Sequence, residues 1–111
     1  LLYAPEACHD SVARRIRVLI DNAPDAALPS FTALTVHLNM SARTLRRRLE
    51  SEGTSYQRIK DTARRDRAIR LLRQSHLSIF DVAEALGFSD PSAFHRSFKK
   101  WTGRPPGEFR C

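Results

Sequence analysis

One helical pattern occurs twice in this chain, and this repeat constrains the fold more than any other feature of the sequence. Residues 30–40 and 78–88 each begin with a serine that can cap a helix and end in a turn, Leu38-Asn39-Met40 and Leu86-Gly87-Phe88. The longer segments that follow correspond at an offset of 49 residues: Ser41 with Asp90, Leu45 with Phe94, Arg47 with Arg96 and Leu49 with Phe98. A short helix, a tight turn and a longer helix form a helix-turn-helix unit, so the repeat predicts two such units.

The remaining segments also have helical periodicity, and no alternation typical of a strand is present. A first helix is predicted from Asp10 to Asn22, and a long helix from Ser55 to about Gln74 lies between the two units. We expect the long helix to bury one stripe of side chains: Tyr56, Ile59, Ala63, Ala68, Leu71 and Leu72. The predicted fold is all-α, with two helix-turn-helix subdomains joined by this linker helix.

The chain is expected to comprise four segments. These are a loose N-terminal segment at 1–9, a first subdomain at 10–54, the linker helix at 55–74 and a second subdomain at 75–110. Asn39 and Gly87 occupy turn positions that need a left-handed backbone, which glycine adopts freely and asparagine tolerates. In the second subdomain, Trp101 and Phe98 are expected to pack against Val82 and Leu86. Because 111 residues with 41% hydrophobic content make only small cores, we expect no ligand cavity.

The whole net charge of +7 comes from one part of the chain. Residues 41–73 contain 11 basic and 4 acidic residues, a difference of +7, whereas the charges of all other residues cancel. Such a surplus predicts a polyanionic partner, with nucleic acid ahead of an anionic membrane surface. Arginine-rich helices are often simply solvated faces, so the charge alone does not establish a function.

The longer helix of each unit has a polar face opposite its apolar one. At about 100° per residue, three arginines in the first such helix point away from Leu45 and Leu49: Arg43, Arg46 and Arg47. The corresponding residues of the second unit are Ser92, His95 and Arg96, with Lys99 one turn further along. A recognition helix reads bases with its N-terminal residues, and arginine can bond both acceptors of guanine or a phosphate.

These residues, together with Ser41 and Thr44 at the start of the first such helix, are the candidate DNA contacts. A purely solvated role remains open for the arginines. His95 fits an ordinary surface histidine as well as a base reader, and Ser92 could bond a phosphate at the start of its helix.

From about Pro29 to Arg110 the sequence resembles the DNA-binding domain of AraC/XylS-type regulators. In the first unit the resemblance covers Leu38 to Leu49, and in the linker it covers Arg64 with Ala68, Leu71 and Leu72. It is most specific in the second unit, in Asp81-Val82-Ala83, Leu86-Gly87-Phe88-Ser89-Asp90, Arg96-Ser97-Phe98-Lys99-Lys100-Trp101-Thr102-Gly103 and Pro105-Pro106. Asn39 stands where the family often has glycine, and Pro91 where it often has glutamine, so a base contact is lost there.

This resemblance implies about seven helices and sequence-specific binding of double-stranded DNA, with two recognition helices in successive major grooves. It also implies transcription regulation, as an activator that contacts RNA polymerase. Such domains usually follow an effector-binding or dimerisation domain. Since the chain does not begin with methionine, we expect that domain to lie outside this sequence.

Other functional classes have little support in the sequence. Cys8 and Cys111 form no C-x-x-C pair, which disfavours a zinc site, a redox site or a disulfide framework and fits a reducing, cytoplasmic location. Scattered histidines and isolated glycines provide neither a nucleophile constellation nor a phosphate loop, so we expect no enzyme activity, metal or cofactor. No apolar run reaches the roughly 18–20 residues of a membrane span.

A basic helical interaction or membrane-surface module, built on the Arg58–Arg73 helix, remains the alternative function. The apolar stripe of that helix is needed to join the two subdomains and is therefore not free to insert into a membrane. Binding that depends on duplex sequence would favour the DNA-reading hypothesis, and salt-sensitive binding to lipid vesicles would favour the alternative.

Overall fold

The structure, a computed structural model, describes residues 11–24, 27–74 and 76–109. Within these ranges it contains six α-helices and one short 3-10 helix, and no strand. The helices are α1 (Val12–Asp21), α2 (Phe31–Leu38), α3 (Ala42–Ser51), α4 (Tyr56–Gln74), α5 (Ile79–Ala85) and α6 (Pro91–Thr102), followed by the 3-10 helix Pro106–Phe109. The all-α prediction is confirmed, with a 3-10 helix as the last helical element. The predicted loose segment 1–9 lies outside the described residues.

Side-chain caps begin the helices of both repeats where the sequence predicts them. Each cap accepts a hydrogen bond from the backbone N–H three residues later, and the four caps are Ser30, Ser41, Ser78 and Asp90. Ser78 belongs to a capping box, because the Asp81 carboxylate also accepts the Ser78 N–H. The first helix begins at Val12 and is capped by Ser11, whereas its predicted first residue, Asp10, lies outside the described part of the chain.

The turns of the two repeats have the same backbone hydrogen bonds. In each turn the backbone N–H of the left-handed residue, Asn39 or Gly87, donates to the carbonyl three residues earlier. The N–H of the next residue, Met40 or Phe88, donates to the carbonyl five residues earlier, and these N–O distances are 3.0–3.2 Å. Asn39 has φ 54° and ψ 48°, and Gly87 has φ 86°. Both predicted left-handed positions are therefore confirmed, and only the first places a side chain in this costly region of backbone space.

The chain divides into two compact units between Lys60 and Asp61, inside α4. The first turn of α4 therefore belongs to the first unit, and the remainder of the helix belongs to the second. A separate linker spanning 55–74, as expected from the sequence, stays a prediction.

The first unit has a core of aliphatic side chains and one tyrosine. Its buried residues come from α1, α2 and α3, with two more from the start of α4: Val12, Ile16, Ile20, Leu34, Leu38, Leu45, Leu49, Tyr56 and Ile59. They recur every three or four residues along each helix, which is the spacing that puts side chains on one face.

Hydrogen bonds of two side chains, Glu52 and Tyr56, connect parts of this unit that are distant in sequence. The two carboxylate oxygens of Glu52, which follows α3, accept the backbone N–H groups of Val12 and Ala13 at 3.0 Å each. Glu52 thus caps α1 and places a negative charge at its positive end. The Tyr56 hydroxyl donates to the Pro29 carbonyl, and burial raises the pKa of this phenol, so it stays a neutral donor at physiological pH.

The second unit packs around two phenylalanines of α6. Phe94 and Phe98 are fully buried, and their ring centroids are 5.6 Å apart. The other buried residues of this core are Ala68, Leu72, Val82, Ala83 and Leu86, and partly buried residues at its edge include Leu71, Trp101 and Phe109. The expected packing of α6 on Val82 and Leu86 is confirmed, although Leu71 and Trp101 are less buried than the sequence suggests.

Arg64 joins α4 to the turn of the second unit. Its guanidinium donates to the Leu86 carbonyl at 3.3 Å, and its Cζ atom lies 4.7 Å from the ring centroid of Phe88 and 5.5 Å from that of Trp101. The Nε atom is buried and has no hydrogen-bond partner among the residues that the structure describes. The residues just before the second recognition helix are therefore held by a cation that also covers two aromatic rings.

Candidate nucleic-acid interface

Helix α3 presents the predicted basic face to solvent. Leu45 and Leu49 are 0% and 2% exposed, so one side of the helix is committed to the core. The three predicted arginines, Arg43, Arg46 and Arg47, are all exposed. Because they lie in the first two turns of the helix, α3 has the arrangement of a recognition helix.

Ser41 and Thr44 are exposed at the start of α3 and are joined to each other by hydrogen bonds. The Ser41 hydroxyl accepts the Thr44 N–H at 3.1 Å and donates to the Thr44 hydroxyl oxygen at 2.9 Å. A hydroxyl carries a single proton, so this arrangement uses the donor of Ser41 and leaves that of Thr44 available. Thr44 is thus the better placed of the two to donate to a phosphate oxygen.

Arg46 differs from the other two arginines of this face. Its Cζ atom lies 5.1 Å from the ring centroid of Phe31, the first residue of α2. It also lines an open pocket of about 280 Å³ together with Phe31, Leu49, Glu50, Thr54, Ser55 and Tyr56. This pocket is open to solvent, so the expectation that the chain has no ligand cavity stays a prediction. Within the described ranges, neither Arg43 nor Arg47 makes an ion pair or a ring contact.

Helix α6 has the same division between a core face and an exposed face. Phe94 and Phe98 are fully buried, while the four predicted contact residues of this helix, Ser92, His95, Arg96 and Lys99, are exposed. The structure therefore brings the predicted residues of each unit together on the exposed face of one helix.

The ring of His95 is oriented by a backbone carbonyl. Its Nδ1 atom lies 2.9 Å from the Pro91 oxygen, four residues earlier. A carbonyl can only accept, so Nδ1 carries the proton and the neutral ring offers Nε2 as an acceptor. Amino groups on the major-groove edges of cytosine and adenine are donors, and they match this acceptor.

The two recognition helices begin with caps of different charge. Ser41, which caps α3, is neutral, whereas Asp90, which caps α6, places a carboxylate 2.8 Å from the Ala93 N–H. That negative charge occupies the positive end of α6 and reduces its attraction for a phosphate. The start of α3 therefore lacks the carboxylate that stands at the start of α6.

Several cationic side chains of α4 contact aromatic rings or a carboxylate of the protein itself. Lys60 Nζ lies 4.6 Å from the Tyr56 ring centroid, and Arg73 Cζ lies 5.8 Å from that of Phe109. Arg65 pairs with Asp66 at 3.1 Å. Arg58 and Arg70 are exposed. The cations of α4 thus differ in the contacts within the protein that position them.

Phe31 and Arg64 contribute contacts that the sequence did not predict. For the contact between Phe31 and Arg46, the only signal in the sequence was the helical angle of Arg46. It lies about 100° from Leu45, at the edge of the polar face and beside the core. Arg64 was noted only as part of the family resemblance, because nothing local in a helix predicts which aromatic rings its side chain will reach.

The described residues contain neither a metal-binding cluster nor a membrane-spanning helix. No group of three or more histidine, cysteine, aspartate or glutamate side chains there could hold a metal ion. In the same ranges, none of the helices has both the length and the apolar character that crossing a membrane requires.

Comparison with known proteins connects this geometry to a family. A family model described as a helix-turn-helix domain matches residues 34–111. The HTH-type transcriptional regulator VqsM of Pseudomonas aeruginosa is 40% identical over 97 residues, which are 87% of this chain and 30% of that protein. The transcriptional regulator CdpR from the same species has a TM-score of 0.76 at 42% identity, covering 88% of this chain and 31% of that one.

A further solved structure contains DNA. The DNA-binding domain of the global transcriptional factor AdpA, in complex with a target DNA, has a TM-score of 0.73 at 26% identity, and the match covers 91% of each chain. This chain spans about 30% of the length of the first curated relatives that it matches, VqsM and the ornithine utilization regulator of the same species. From the family model, these relatives and the repeated unit, the chain belongs to the AraC-type helix-turn-helix transcriptional regulators and carries their DNA-binding domain.

Proposed function

We propose that α3 and α6 act as two recognition helices that enter successive major grooves of one DNA duplex. The observation that carries this proposal is the shared division of both helices, each of which buries two large apolar residues and exposes the predicted contact residues of its first turns. A helix of this kind packs on its unit with one face and meets base edges with the other.

In the first unit, Arg43 and Arg47 are the base-reading residues of this proposal. Both are exposed on α3 and make no ion pair or ring contact with the described residues, so their planar donor forks are available for guanine. Thr44, held by Ser41, is proposed to donate to a phosphate at the start of the helix.

In the second unit, His95 and Arg96 are the proposed base readers. The carbonyl of Pro91 orients the His95 ring, and the ring therefore acts as a fixed acceptor in its neutral form. Ser92, in the first turn of α6, and Lys99, one turn beyond His95, are proposed to contact the DNA backbone. We propose that this unit contributes less electrostatic attraction to DNA than the first and more shape complementarity.

Replacing Arg47 by alanine tests the base-reading role of α3. We expect operator affinity to fall by about 1–3 kcal/mol and base preference to relax at one position. The measurement is a salt titration of operator and scrambled DNA. Arg14→Ala, which removes the same charge from the exposed surface of α1, is the matched control and should leave base preference unchanged.

Two other results would contradict this role. An equal loss for every sequence, with the log-log salt slope reduced by about 1, would make Arg47 a phosphate contact. No change in affinity, preference or salt slope would mean that α3 does not lie in the groove.

The proposal also includes activation through RNA polymerase, as a cytoplasmic regulator. A surface of the second unit supports a protein partner: Phe80 is 55% exposed and is accompanied by the exposed acidic residue Glu84 on α5. DNA would repel this carboxylate, whereas a protein with an apolar site beside basic residues would accept the surface. Since the relatives are about three times as long as this chain, we further propose that an effector-binding or dimerisation domain belongs to the whole regulator.

Phe80→Ala in the full-length regulator tests this surface. We expect unchanged operator affinity and an activated transcription rate that falls about 5-fold or more with purified RNA polymerase, as for a truncated anchor residue. Val36→Ala is the control, because Val36 is 78% exposed on α2 of the first unit. Equal transcription by the two variants would place the polymerase contact elsewhere.

A further inference from the structure

Four side chains of the first unit form a continuous stack with a cation at each end. Lys60 Nζ lies 4.6 Å from the Tyr56 ring centroid, the Tyr56 and Phe31 rings are 6.3 Å apart, and Arg46 Cζ lies 5.1 Å from the Phe31 ring. The Tyr56 hydroxyl is anchored on the Pro29 carbonyl, two residues before Phe31. The stack thus connects α4, the start of α2 and the exposed face of α3.

From this arrangement we infer that Phe31 is a positioning residue for DNA binding, which orders Arg46 as a contact to a DNA phosphate rather than to a base. This inference rests on the proposed function of α3 and assigns different roles to arginines that the sequence treats alike. Arg43 and Arg47 read the groove, and Arg46, held at the side of the helix facing α2, bonds the backbone beside it.

The chemistry of the guanidinium suits this role. It carries five N–H donors, and contact with the Phe31 ring places its charge over that ring without taking up a hydrogen-bond acceptor, so donors remain for phosphate oxygens. Within the described ranges Arg46 makes no ion pair, even though Glu50 lines the same pocket. Its charge is therefore not compensated by a carboxylate and remains available to an anion.

The Phe31 ring favours DNA binding by ordering the Arg46 side chain rather than by adding a contact to DNA. A free arginine side chain loses much rotamer freedom when it binds, and this loss weakens the complex. Contact with the ring restricts that freedom before DNA arrives. Phe31 is only half-buried and borders the open pocket, so its ring is available to Arg46 rather than enclosed in the core.

The test is a double-mutant cycle on operator and scrambled DNA with Phe31→Leu, Arg46→Ala and the pair. Leucine keeps an apolar side chain and removes the ring, so Phe31→Leu should weaken binding about 2- to 5-fold, the range of an exposed cation–ring contact. The loss should be equal on both DNAs, without altered base preference, and should vanish in the Arg46→Ala background. Arg46→Ala should reduce the log-log salt slope by about 1.

Two further variants separate positioning from folding. Phe31→Tyr retains an aromatic face and should bind as the parent protein does. Val36→Ala shortens an apolar side chain that is 78% exposed on α2 and should leave DNA affinity unchanged. Thermal unfolding of each variant checks that it is folded at the temperature of the binding measurement, and we expect all of them to be.

Several results would overturn the inference. A Phe31→Leu effect of the same size with and without Arg46 would mean that Phe31 acts through packing alone. A change of base preference in Arg46→Ala would make Arg46 a base reader. If Arg46→Ala is silent while Arg47→Ala alters binding, this inference fails and the proposed function stands; if both are silent, the proposed function itself fails.

Discussion

Inserting about 5 bp between the two half-sites of the operator should weaken binding by at least about 10-fold. The insertion turns the second half-site by half a helical turn of DNA, to the opposite face of the duplex. If one chain reads both half-sites at once, the variant operator must lose the contacts of one recognition helix, and each lost base pair costs about 1–3 kcal/mol. Footprinting and a binding titration on the two operators measure the effect.

A matched operator makes this result specific. Scrambling the second half-site without changing the spacing removes the same base contacts, so the two variant operators should bind with similar affinity. Equal affinity for the parent and the insertion variant would show that the helices do not read two sites simultaneously. That outcome would not contradict base reading by α3 alone, which the Arg47→Ala variant tests separately.

Replacing Phe98 by alanine should destabilise the second unit by about 3–5 kcal/mol, the usual cost of deleting a large buried aromatic side chain. Phe98 is fully buried, and its ring centroid lies 5.1 Å from that of Phe109 and 5.6 Å from that of Phe94. The substitution leaves a cavity among these rings, because alanine fills little of their shared space. Denaturant unfolding can be followed through Trp101, the only tryptophan of the chain.

Phe80→Ala is the control for this measurement, because its side chain is 55% exposed. A surface replacement of this kind usually changes the free energy of unfolding by no more than about 0.5 kcal/mol. A similar unfolding midpoint for Phe98→Ala and the parent protein would contradict the burial of Phe98. Trp101 is only partly buried at the edge of this core, so Trp101→Ala should cost less than Phe98→Ala.

The helix boundaries of both repeats could be predicted because the signals that set them are local. Ser41 and Asp90 bond N–H groups three residues away, and Asn39 and Gly87 adopt left-handed backbone within their own turns. Each of these effects involves only a few neighbouring residues, so the residue types are enough to predict it. The last element is a 3-10 helix, a distinction that the Pro105-Pro106 signal does not make.

The candidate site could be predicted as a set of exposed residues but not as a set of distinct roles. Periodicity alone puts Arg43, Arg46 and Arg47 opposite the buried leucines, and all three are exposed. Which of them meets an aromatic ring depends on where the start of α2 lies next to α3. Helical angles do not contain that information, so the contact of Arg46 with Phe31 could not be deduced.

The sequence by itself determined the repeated unit, its caps and turns, and the faces that α3 and α6 bury, since all of these depend on residue type and spacing. Only the tertiary structure decided which distant side chains meet. Glu52 caps α1 from about 40 residues away, Arg64 bonds the turn after α5, and Phe31 receives Arg46. Such contacts depend on how helices pack, because a long charged side chain has many rotamers and packing selects among them.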